Sequence, residues 1–127
     1  MSSRLTRGIF VGHGVVTLAA AVVLMGFPAA IPATVGVSVE PEEYLLSYFL
    51  GAAELGVGLL SLAAIRLHDA AAVRLIALCF AAFHGATAIL EVVYVGTQGP
   101  SAVLVANIGL RVVVTIVFVV IARRRAA

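Results

Sequence analysis

The chain has 127 residues, of which 63% are apolar and 11% charged, with a formal charge of +2. A soluble domain carries roughly half apolar and a quarter charged residues, and at this length it has too little interior to hide such a surface. These values exclude a water-soluble domain, and eight scattered basic residues, all arginine, are too few for a nucleic-acid-binding surface. What remains is a single integral membrane domain whose solvent is hydrocarbon.

Four stretches reach the ~20 apolar residues that a crossing helix needs: 8–27, 44–65, 74–95 and 102–122. The first is preceded by Arg4 and Arg7 and followed by "AAIPA", in the manner of a signal peptide. Its apolar part is too long for one, so it reads as a retained span. It carries "GIFVG", a single GxxxG that leaves a homo-oligomer open without arguing for it, and His13 with Thr17 one turn on. The segment after it, "PAAIPATVGVSVE", is apolar but too short to span. Its two prolines argue against a regular helix, and it is expected to lie at the outer interface, where it could act as a lid.

Pro41 suits the first turn of the second helix, and Glu42 and Glu43 suit its positive dipole end. Tyr44 and Tyr48 read as interfacial aromatics first and as pocket wall second. Within span 2, Ser47, Gly51, Glu54, Gly58 and Ser61 recur at 4-3-4-3 spacing. That is one stripe of small and polar residues, of the kind that lets helices approach closely. In the next loop His68 is solvated and Asp69 can cap the third helix. Span 3 repeats the spacing with Phe80, His84, Thr87, Glu91 and Tyr94. "TQGPS" at 97–101 breaks the chain before span 4, where Asn107 and Arg111 form an i, i+4 pair.

Arg4, Arg7, Arg66, Arg74, Arg123, Arg124 and Arg125 all fall on one side of a four-span topology, and the other loops hold only acids. By the positive-inside rule both termini are cytoplasmic. The expected fold is an all-α, integral membrane four-helix bundle. Arginine-only basic usage with abundant Ala, Val and Gly fits a bacterial coding bias, which makes the cell (cytoplasmic) membrane the expected location. "HGVVT" against "HGAT", and "AELG" against "ANIG", hint at a two-helix repeat, although chance likeness in Ala/Gly-rich helices accounts for them as simply.

Depth along the spans, at ~1.5 Å per residue, groups the polar residues. Glu54, His84 and Arg111 lie ten, eleven and nine residues from the outer ends of their spans, roughly 13–17 Å down and near the midplane. Glu91 and Asn107 share a shallower layer, and His13 sits in the inner half of span 1. Arg111 stays protonated and can neutralise one of Glu54 and Glu91. The other carboxylate must be protonated, pair with a histidinium or see water, so the cluster is expected to share a labile proton. Glu54, His84 and Arg111 are the candidate catalytic residues; His13, Glu91, Asn107 and Tyr48 are the candidate ligand-binding residues. Ionisable groups inside a membrane mark ligand or proton sites, with a structural clasp fixing helix register as the plain alternative.

A metal needs three or four convergent ligands, and Arg111 beside His13, His84, Glu54 and Glu91 argues against a cation. No phosphate loop is present, and His13 and His84 lie at unlike depths for a shared haem. No cofactor is named by these residues. A carboxylate, an imidazole and a guanidinium at one depth suit a lipophilic molecule with a polar head, such as a quinone or an isoprenoid. A proton-coupled transporter and a structural subunit of a membrane complex are the alternatives.

The four-span size, the Pro-containing segment after span 1 and "GAAELGVGLLSL" in span 2 resemble the DoxX-like group of small bacterial membrane proteins. Members of that group typically carry a central Glu in a Gly-rich second span, matched here by Glu54 and its glycines. The resemblance implies a membrane component of an oxidoreductase or quinone-linked system. Small multidrug transporters share the size, but their essential Glu is in span 1, where this chain has His13.

Overall fold

The computed structural model describes residues 3–124. Among them the chain is helical without strands: α1 (Ser3–Gly26), α2 (Ala30–Thr34), a 3-10 turn (Pro41–Glu43), α3 (Tyr44–Ala64), α4 (Ala70–Gln98) and α5 (Ala102–Arg124). The four long helices are each long and apolar enough to cross a membrane. Side chains such as Val16, Leu46, Phe49, Ile89 and Leu90 are more than 60% exposed. Apolar surface on that scale is tolerated when lipid is the solvent. Arg125, counted among the cytoplasmic basic residues, lies outside the described residues.

Helix ends follow local chemistry. Asp69 caps α4 as expected, its Oδ1 accepting from the Ala71 amide at 3.0 Å. At the other end Gly99, with φ of +91°, lets the chain leave α4 while its amide still bonds Val95 O at 2.9 Å. Ser101 then caps α5 by accepting from the Leu104 amide at 3.2 Å. α4 therefore runs four residues before and three beyond the expected 74–95. At 29 residues it is about 43 Å long, more than the ~30 Å hydrocarbon core of a bilayer.

The expectation that two prolines keep the 28–40 segment from forming a helix is overturned. Pro32 sits within α2, and there the ring is harmless because the first-turn amides of a helix have no intrahelical acceptor. The short helix ends in a Schellman motif: Val37 N bonds Pro32 O and Gly36 N bonds Ala33 O, both at 3.1 Å, with Gly36 at φ of +79°. Pro41, Glu42 and Glu43 form the 3-10 turn ahead of α3 instead of its first α-helical turn. The Glu40 amide donates to Glu43 Oε2 at 3.1 Å.

Two helical hairpins form separate compact units, one built on α1 and α3 and the other on α4 and α5. In the first, the small-residue stripe of α3 is buried against α1: Ser47, Gly51, Glu54, Gly58 and Ser61 are all buried. A Cβ placed on Gly58 would come within 2.7 Å of Leu18 Cγ and 3.2 Å of Gly14 O, and one on Gly14 would come within 2.8 Å of Leu62. This glycine pair sets how closely the two backbones cross. Ser47 Oγ donates to Pro28 O at 2.8 Å and secures the upper end of the hairpin.

In the second hairpin the seam of α4 faces α5. Phe80 meets Phe118 edge-to-face, with centroids 5.2 Å apart, and both rings are buried. Thr115 packs beside Gly85 of α4, where an added Cβ would make an ordinary 3.5 Å contact with Thr115 Cγ2. The GxxxG glycines Gly8 and Gly12, by contrast, have nothing within 4 Å of an added Cβ.

The glycine contrast is testable. Gly58→Ala should lower thermal stability in detergent by about 1–3 kcal/mol, because Leu18 and the Gly14 carbonyl must move. Gly56→Ala, with open space around its Cβ, should be neutral or stabilising by up to about 1 kcal/mol. Equal melting-temperature shifts for the two would refute the close crossing.

Candidate functional site

The polar centre of the second hairpin is built from four side chains. His84 and Glu91 come from α4, and Asn107 and Arg111 come from α5. Glu91 Oε1 accepts from Asn107 Nδ2 at 2.7 Å and from Arg111 Nε at 3.1 Å. Arg111 Nη1 lies 3.3 Å from His84 Nδ1. Guanidinium has donors only, so His84 accepts at Nδ1, and the ring is the neutral tautomer with its proton on Nε2. The charges of Glu91 and Arg111 offset each other.

Geometry explains why residues assigned to two depths come together. In a helix the Cα–Cβ bonds tilt toward the N-terminus. Arg111 therefore leans back toward Asn107, while Glu91, on the antiparallel α4, leans back toward His84. The two long side chains close a gap that counting along the Cα trace leaves open. Thr115 Oγ1 donates to Arg111 O at 2.8 Å, and Thr87 Oγ1 to Phe83 O at 2.7 Å. Both hydroxyls are satisfied by their own helix.

One atom of the cluster has no partner. Glu91 Oε2 is buried and accepts no hydrogen bond from the described residues. Yet Glu91 and Arg111 keep 17% and 20% of their side-chain surface accessible. The site thus pairs its charges but leaves one buried carboxylate oxygen without a donor.

The remaining candidates lie in the first hairpin. Glu54 is 7% exposed and sits between Gly51 and Gly58 on the seam that faces α1. The register there brings Thr17, itself buried, to the same level. Of the two carboxylates that Arg111 could neutralise, the structure pairs it with Glu91. His13 Nδ1 lies 3.0 Å from Ser61 Oγ, and that hydroxyl donates to Phe10 O at 2.8 Å. Its single proton being used there, the histidine must donate, so His13 carries its proton on Nδ1, opposite to His84. Tyr48 is 43% exposed and meets Tyr44 edge-on at 6.5 Å, away from the buried stripe. Ser61, fully buried, was not among the candidate site residues. Its place on the 4-3-4-3 stripe, two turns from Glu54, was the available signal.

The Glu91–Arg111 pair predicts a non-additive mutant cycle. Arg111→Met strands a mostly buried carboxylate and should cost on the order of 2 kcal/mol in a detergent unfolding assay. Adding Glu91→Gln to that variant should restore much of the loss. Additive effects would show that the pair is not coupled.

No family model matches the chain, and no curated protein or solved structure matches it.

Proposed function

We propose that the chain is a four-helix bundle of the bacterial cytoplasmic membrane, with both termini on the cytoplasmic side. In this reading it binds a lipophilic small molecule, quinone- or isoprenoid-like, at the His84–Glu91–Asn107–Arg111 cluster. The observation that carries this reading is the open acceptor, Glu91 Oε2, within an otherwise paired cluster. A clasp that served only to join α4 to α5 would close its buried hydrogen bonds, because an unsatisfied buried acceptor costs about 1–3 kcal/mol. A ligand-binding site keeps such a group open for its ligand.

The electrostatics narrow the ligand. With Arg111 already neutralised by Glu91, the cluster has no net charge to offer an anion. A neutral head on an apolar tail fits both the polar centre and the exposed aliphatic faces around it. The likeness of span 2 to the DoxX-like group supports the same reading, and there the residue carried over is Glu54. Acid–base or redox processing of the bound molecule would use the neutral imidazole of His84 beside the guanidinium.

Two measurements test this. Native mass spectrometry of protein extracted in mild detergent should show a retained lipophile that Arg111→Gln loses while its helical circular dichroism is unchanged. Retention of the same mass by the variant would remove the cluster from the binding site. Reporter fusions should place both the N-terminus and the C-terminus in the cytoplasm, and an external C-terminus would overturn the topology.

A further inference from the structure

The open atom in the second hairpin specifies the chemistry of the head group more closely than the cluster as a whole does. We infer that the site takes a lipophile whose polar head is a hydroxyl donor, and that this hydroxyl bonds Glu91 Oε2. The inference rests on the lipophile-binding reading above and refines it.

Each neighbouring group has a fixed hydrogen-bonding role. Both donors that reach Glu91, Asn107 Nδ2 and Arg111 Nε, converge on Oε1. Arg111 Nη1 is committed to His84 Nδ1. Oε2 is therefore a carboxylate acceptor with nothing to accept. A carbonyl, an ether or a phosphate brings only acceptors to it and would be repelled by its lone pairs. A hydroxyl brings the missing proton. Prenols and hydroquinones share this head chemistry; quinones and prenyl ethers lack it.

Glu91→Gln reverses the polarity of that one position. The amide oxygen replaces Oε1 and still accepts from Asn107 and Arg111, so the amide nitrogen falls where Oε2 was. An acceptor becomes a donor with almost no change of shape. The preference for head groups should invert with it.

The test uses the full chain in detergent micelles or nanodiscs and four probes in two matched pairs: geranylgeraniol against its methyl ether, and decylubiquinol against decylubiquinone under anaerobic conditions. The wild type should bind the hydroxyl member of at least one pair about tenfold more tightly than its partner, the discrimination expected of one hydrogen bond to a charged group. The pair that responds tells prenol from hydroquinone. Glu91→Gln should abolish or reverse that ratio. Binding of both members of each pair with equal affinity by the wild type would overturn the inference while leaving a lipophile site in place. Failure of all four probes to bind would overturn the lipophile-binding reading itself. If the Gln variant does not fold, the wild-type ratios still decide the matter.

Discussion

Arg111 cannot discard its charge, and nearly everything in the second hairpin follows from that. A guanidinium inside an apolar helix must find acceptors within reach of its own side chain, because lipid supplies none. It finds Glu91 Oε1 and His84 Nδ1. Those two bonds set the rotation of α4 about its axis and hold α5 in antiparallel register with it. They also fix the tautomer of His84. The aromatic contact of Phe80 with Phe118 and the packing of Thr115 beside Gly85 then fill the seam inward of the charges. Packing here completes an arrangement that electrostatics has already chosen.

The first hairpin is held by different means. Its helices approach through glycines, and its polar side chains bond backbone carbonyls: Ser47 to Pro28 and Ser61 to Phe10. Hydrogen bonds of this kind contribute modestly in membranes, so the close backbone contact at Gly14 and Gly58 carries more of the association. Glu54 lies within this tightly packed seam, where the room for any larger neighbour is set by the two flanking glycines.

Much of this was legible in the residues. The four long helices, the Asp69 cap, the break at 97–101 and the two 4-3-4-3 seams follow from hydropathy, capping chemistry and helical spacing. The pairing of Arg111 with Glu91 was not legible. Depth counted along Cα positions ignores the N-terminal lean of long side chains, and that lean brings Glu91 and Arg111 together. The helix at Pro32 was missed for a related reason: a proline's effect depends on its position within the turn, and the first turn tolerates it. The tautomers of His13 and His84 required knowing which partner donates, and spacing alone does not give that.

Pairing within the second hairpin also has an order in time. Glu91 precedes Arg111 by twenty residues, close to the length of one helix. During synthesis the carboxylate of α4 is therefore made before the guanidinium that pairs with it. α4 by itself would expose that charge to hydrocarbon, and α5 by itself would expose the guanidinium. Neither helix is a good passenger alone. As a hairpin the two helices pair the charges that each would carry alone.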